Sequence, residues 1–286
     1  MKIAICGDIH SNYYALECVL KFLEDKIDAL IITGDIVGYG PQPVECLNLL
    51  IDFPIKKQYY TVGNHDLGVR SVYCKLNGMD SCSEDDQILG FFKTQPTAKA
   101  MFKQNAKELS KEHYNFLLKL PIKNNFKLND SLVYLTHGTP SKKKSENVGR
   151  YLSAPPVQQT RTTIDNAKRF KDTRKSDIVI VGHTHQRFYI NRNLLLGWSH
   201  LADSYANIPV KYPKKFSFKD DKLIINPGSV GQPRDGNPDA SFAIIDLESQ
   251  DITFYSLKYP REELYRVIKE KCDPLIQDSK FWEISF

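Results

Sequence analysis

No stretch of this 286-residue chain approaches the ~20 consecutive apolar residues of a membrane-spanning helix, so it reads as a soluble protein with no membrane partner. The opening MKIAIC runs straight into an apolar strand pattern. It lacks a basic leader, a long apolar segment and a small-residue cleavage site, which argues against export. The six cysteines (Cys6, Cys18, Cys46, Cys74, Cys82, Cys272) are far apart and form no CxxC pair. Free thiols in a reducing compartment are therefore expected, and with them a cytoplasmic location. Excess charge is also small. A formal charge of +5 suits an anionic substrate but falls short of the clustered basic surface of a dedicated nucleic-acid binder, so stable nucleic-acid binding is not expected. Internal repeats and low-complexity tracts are absent, and 41% apolar residues is ordinary for a globular protein with a sizeable core.

What the chain does have is five short apolar runs, each ending in glycine or threonine followed at once by a side chain able to bind metal. They are IAICGDIH (Asp8, His10), LIITGD (Asp35), YTVGNHD (Asn64, His65), LVYLTHG (His137) and IVIVGHTH (His183, His185). Such runs read as strands buried on both faces, and α/β proteins place ligands at the carboxyl ends of strands like these. The ligands should therefore converge on one edge and describe a two-metal site. Imidazole, carboxylate and amide oxygen together suit Mn, Fe, Zn, Co or Ni, whereas an all-oxygen set would suit Mg or Ca. The set holds no thiolate, which speaks against a structural zinc site.

Residues 1–66 alternate as strand 2–6, helix 13–25, strand 28–33, helix 44–52 and strand 57–62, a β-α-β-α-β unit with parallel connections. The rhythm breaks over 67–130. A polar stretch with cysteines precedes helical patterns at 84–92, 96–107 and 111–119, read together as a helical cap or flank beside the site. Strands resume at 131, followed by a basic loop (Lys142, Lys143, Lys144), a helix near 156–170 and the strand that carries GHTH. Short strands with turn chemistry at 219–222 and 236–239 fill the last third, where antiparallel pairing is expected. A helix at 260–271 leads into an aromatic tail (Phe281, Trp282, Phe286), the place to look for an interface. Because the ligand segments run from residue 8 to residue 185, one domain over 1–286 is expected, with 67–130 as an insert and 259–286 as helix and tail.

In that order and spacing, GD-x-H, GD-x-V, GNHD, HG and GHTH resemble the calcineurin-like metallophosphoesterase superfamily over residues 7 to about 235. GDIVGYGP and INPGSVGQPRDG are similar to its small bacterial and archaeal phosphodiesterase and phosphatase branch. The resemblance implies an α/β fold, a two-sheet αββα sandwich with a helical insert, and two divalent metal ions (Mn, Fe, Zn, Ni or Co). It implies that Asp8, His10, Asp35 and His185 hold one ion and that Asp35, Asn64, His137 and His183 hold the other, Asp35 bridging. His65 would be a general acid at the leaving-group oxygen, with Asp66 accepting a hydrogen bond from its other ring nitrogen and favouring the charged ring. Two cations about 4 Å apart make hydroxide from a bridging water near neutral pH and neutralise the phosphoryl oxygens during in-line attack.

Asn12 is either a helix N-cap or a phosphate contact. Arg234 follows a glycine-rich loop and is a candidate substrate-phosphate contact, the alternative being a surface arginine tied to Asp235 or Asp239. His113 and His200 read as surface or structural residues. Hydrolysis of phosphodiesters, with phosphomonoesters included, is the function implied. Nucleotide or dinucleoside polyphosphate hydrolysis, or nuclease action, is the alternative. A protein Ser/Thr phosphatase fits less well, because Tyr39 and Gly40 stand where that family carries an arginine. A scaffold without catalysis fits least, since neither His65 nor any ligand is lost. The expected partner is a small phosphorylated substrate, nucleotides among the candidates; oligomeric state is open, a homodimer being one option.

Overall fold

Apolar runs bounded by glycine become the central strands. The computed structural model describes residues 1–79, 96–149, 156–191, 213–218 and 222–277. Strands β1 (Lys2–Cys6), β2 (Ala29–Ile32) and β3 (Gln58–Tyr60) pair in parallel through the crossover helices α1 (Tyr13–Leu23) and α2 (Pro43–Asp52), as the alternation predicts. β1 turns Ala4 and Cys6 to one side and Ile3 and Ile5 to the other, and each pair enters a separate apolar cluster. β8 (Lys214–Ser217), β10 (Ala240–Asp246) and β11 (Asp251–Leu257) add antiparallel strands, giving the sheet order β3-β2-β1-β10-β11-β8.

A second sheet runs β4 (Lys123–Leu128), β5 (Ser131–Thr136), β6 (Ile178–Ile180), β9 (Leu223–Pro227) and β7 (Arg187–Asn191). Ile3, Ile5 and Ile31 from the first sheet share one core with Val133, Leu135 and Ile225 from the second, so the sheets pack face to face. Outside the first sheet, α1 and α2 are joined by α3 (Asn64–Leu76), α4 (Pro96–Glu108), α5 (Lys111–Leu118), α9 (Arg261–Lys271) and α10 (Pro274–Gln277). α7 (Pro156–Arg169) and α8 (Lys171–Lys175) lie against the second sheet, α7 contributing Ile164 and Ala167 to the core, while α6 (Lys144–Gly149) adds Val148 to the first cluster. The result is the expected αββα sandwich.

Three sequence expectations change. The polar stretch after GNHD is helical, because Val69 and Tyr73 bury at i,i+4 spacing while the polar Asn64, His65, Asp66 and Ser71 are buried as well and blur the amphipathic pattern. Within the segment read as a helical insert, Lys123–Leu128 is an edge strand that turns its lysines to solvent. Its Phe126 stacks on Tyr59 of the other sheet at 3.8 Å between centroids, which closes the sandwich at that end. β9 pairs with antiparallel β7 but also lies parallel to β6, so the last third is mixed.

Cys6, Cys18, Cys46 and Cys272 are free. Cys74 is disulfide-bonded, which corrects the expectation of six free thiols and removes one support for a reducing compartment. The helical pattern at 84–92, His200 and the aromatic tail lie outside the described residues. Among the described residues no helix is long and apolar enough to cross a membrane. The inter-sheet core supplies a stability test. Phe254 is fully buried against Tyr189 and Phe216, and Phe254→Ala should cost about 3–5 kcal/mol, read as a lower urea midpoint at unchanged slope on metal-free protein.

Candidate metal centre

All five ligand segments leave the carboxyl ends of parallel strands. Asp8 follows β1, Asp35 follows β2, Asn64 and His65 follow β3, His137 follows β5, and His183 and His185 follow β6. The loops are sewn together by their backbones: Asp8 N donates to Gly34 O at 3.0 Å, His10 N to Asp35 O at 2.9 Å and Gly182 N to His137 O at 2.8 Å. Asp8, His10, Asp35, His183 and His185 all have φ between 49° and 68°, a left-handed region that costs a non-glycine residue about 1–3 kcal/mol. Five strained residues persist in one place only if the surrounding loops over-determine them. Gly63 is required for another reason: a Cβ there would stand 2.0 Å from Asp35 Oδ1.

The side chains form two groups whose donor atoms lie within 4.8 Å of one another, Asp8, His10, Asp35 and His185 in one, Asp35, His137 and His183 in the other. Asn64 joins the second through Oδ1, 3.2 Å from His137 Nε2. Asp35 is common to both; its Oδ2 is 3.2 Å from His137 Nε2 and 3.7 Å from His10 Nε2. Whether this cluster fits metal can be read from its protons. His137 Nδ1 faces Thr33 O at 2.7 Å and His185 Nδ1 faces Gln232 O at 2.6 Å. A carbonyl only accepts, so each ring keeps its proton on Nδ1 and, when neutral, offers a bare Nε2. That of His185 lies 3.3 Å from the carboxylate Oδ1 of Asp8 and 3.0 Å from His10 Nε2. A divalent cation between these atoms would take up their lone pairs, and the donor set suits a borderline ion.

Charge follows the same logic. Burial lowers the His183 ring to about 3 and drives His10 and His185 well below the usual histidine range, so all three are neutral, the form that ligates metal. His137 is the exception: burial pulls it down, but Asp35 outweighs that and carries it to about 9. Burial pushes Asp8 up to about 7. For Asp35 burial opposes the charge, yet His137 and His65 hold it well below the carboxylate range. Without metal, His137 thus carries the compensating positive charge.

His65 belongs to neither group. Its backbone N–H donates to Asp35 Oδ1 at 2.8 Å, and its ring packs against His10 and Tyr39. Burial lowers that ring to about 4, and an anion bound beside it is what would raise it. The Asp66 expectation is corrected. As the third residue of α3 its carboxylate turns back to Gly63 N (2.9 Å) and across to Ile36 N and Val37 N (2.8 and 3.0 Å), so it fixes the loop after Asp35 and does not bond the His65 ring. Asn12 is an N-cap: Oδ1 accepts from Ala15 N and Nδ2 donates to Gly231 O. Asp235 pairs with Arg187 and Asp239 with Arg261, so Arg234 is tied to neither. It is half-buried, bonds Gln232 Oε1 at 2.7 Å, and its charge reaches Asp8, His10 and His65. Asn226 braces the GHTH loop through Gly182 O and Thr184, and His113 caps α5 and meets Asn48. Sequence reasoning missed the carbonyls of Thr33 and Gln232, whose roles follow only from three-dimensional proximity.

Two groups of Asp and His side chains sharing one carboxylate, at the strand ends of a two-sheet sandwich, could hold two metal ions. Residues 1–250 match the calcineurin-like phosphoesterase superfamily domain, and the chain belongs to that superfamily. It is a metal-dependent phosphoric ester hydrolase. It is 30% identical to an uncharacterized protein of Methanocaldococcus jannaschii over 98% of this chain and 97% of that one. A metallophosphoesterase from Sphaerobacter thermophilus superposes over the full length of both chains with a TM-score of 0.69 at 26% identity. A symmetrical bis(5'-nucleosyl)-tetraphosphatase of Buchnera aphidicola is 37% identical over 76 residues, 26% of this chain and 27% of that protein.

Proposed function

We propose that the protein hydrolyses phosphodiesters, with Asp8, His10, Asp35 and His185 holding one divalent cation and Asp35, Asn64, His137 and His183 a second. The carrying observation is the shared Asp35 oxygen set between two imidazole groups. When bound, such a pair of cations activates water and neutralises phosphoryl charge. The chain's own residues supply position and protons. His137 and His185 are oriented by Thr33 O and Gln232 O. Arg234 grips a non-bridging phosphate oxygen, supported by its charge reaching both Asp8 and His65. Gly38 covers Nδ1 of His65, which leaves Nε2 to hand a proton to the departing oxygen.

Substrates that contain nucleotides are the second reading, favoured by the partial similarity to the Buchnera tetraphosphatase. Metal-stripped protein resupplied with Mn²⁺, Ni²⁺, Zn²⁺ or Mg²⁺ one at a time should regain turnover of bis-p-nitrophenyl phosphate in preference to p-nitrophenyl phosphate, most strongly with ions that accept imidazole. Diadenosine tetraphosphate belongs in the same panel. Turnover of the monoester alone would remove the diester reading, and two bound metals with no turnover of any ester would remove the catalytic assignment.

A further inference from the structure

Helix α4 comes from the segment read as a cap, yet it reaches the floor of the metal centre. Asn105 on this helix is 1% exposed and joins Ser11 to the loop that carries Tyr39. Its Oδ1 accepts from Gly38 N and from Ser11 Oγ, each at 2.7 Å, and its Nδ2 donates to Gly40 O at 2.9 Å. One side chain thereby brackets Tyr39 from both sides and ties it to the residue after His10.

Tyr39 needs that brace. Its φ is +46°, a conformation a bulky aromatic keeps only where its surroundings over-determine it. The reward is placement, since the Tyr39 ring lies 4.2 Å from the His65 ring and 4.6 Å from that of His10, centroid to centroid. One turn before Asn105, Phe102 meets His65 edge-on at 5.3 Å. Gly38 closes a further side, because a Cβ there would stand 2.6 Å from His65 Nδ1. The ring is caged by one loop and one helix, and Asn105 is where the two are joined.

We propose that Asn105 is a positioning residue, holding the 38–40 loop so that Tyr39 and Gly38 confine the His65 ring at the angle from which it protonates the leaving group. This rests on the reading of His65 given above. It makes the helical insert a working part of the centre, through a residue that touches no metal ligand and no substrate.

The test is steady-state kinetics of Asn105→Ala, His65→Ala and the double variant on aryl phosphodiesters with leaving groups from poor to good, with metal analysis of each protein. Asn105→Ala should keep two metal equivalents and a KM within about threefold, while kcat falls about 10- to 100-fold for poor leaving groups and little for nitrophenolate. The double variant should be no slower than His65→Ala, because the two act as one unit. Full additivity, or a loss equal for every leaving group, overturns the proposal. If Asn105→Ala does not fold, Tyr39→Asn carries the same comparison, since asparagine tolerates the left-handed backbone and removes the ring. The two readings fail separately. A loss independent of leaving group in His65→Ala removes the general acid itself, whereas a dependence seen there but not in Asn105→Ala removes only the positioning role.

Discussion

Asp35→Asn should empty both halves of the centre and reduce turnover to background. Oδ2 of Asp35 lies 3.2 Å from His137 on one side and 3.7 Å from His10 on the other. Oδ1 is already committed to His65 N at 2.8 Å. An asparagine can keep that bond through its carbonyl, but its NH₂ then faces the two imidazole groups, where a donor repels cations and an amide carries no charge to offset theirs. Outer-shell partners of a metal ligand are each worth about 10- to 100-fold in affinity, so losing the shared carboxylate should cost more than about 100-fold at each position. Asn64→Asp is the matched control. Asn64 touches one group alone, through His137 at 3.2 Å, and the change adds charge instead of removing it, so metal should be retained. Metal analysis after dialysis separates the cases: an Asp35→Asn protein that still held two equivalents would show that Asp35 does not bridge.

That these side chains gather at one edge is legible in the sequence for a simple physical reason. A ligand at the end of a buried strand sits next to glycine or threonine after an apolar run, and Asp8, Asp35, Asn64, His137 and His183 all carry that local signature. What the sequence left open or misplaced depended on side-chain contacts that strand patterns do not carry. The resemblance implies that Asp66 serves the His65 ring, but a carboxylate at the third position of a helix folds back on the amide before it, here Gly63 N at 2.9 Å. Asn12 balanced between two roles until Gly231, 219 residues away, supplied the carbonyl that holds its amide. For Arg234 the alternative of a tie to Asp235 is decided by a distant residue, since Asp235 pairs with Arg187, 48 residues upstream. Asn105 gave no signal at all, being one polar residue in a polar helical pattern until the fold set it between Ser11, Gly38 and Gly40.

The second large effect concerns the proton, not the metal. His65→Ala should retain two metal equivalents, because neither donor group includes its ring and its tie to Asp35 runs through the backbone N–H, which alanine keeps. What disappears is the ring beside Tyr39, His10 and Phe102, and with it the means of protonating a departing alkoxide. General acid catalysis is worth about 10²- to 10⁴-fold, so turnover of esters with poor leaving groups should fall by that factor. A nitrophenolate leaves without a proton at neutral pH, and its ester should lose far less. The slope of log kcat against leaving-group pKa should therefore steepen in the variant. If metal content fell along with activity, His65 would be acting as a ligand or a brace for one, and the proton would have to come from elsewhere. If the slope stayed flat while both metals remained, departure of the leaving group would not limit the reaction, and the ring's cage of Tyr39, Gly38 and Phe102 would have to serve substrate placement instead.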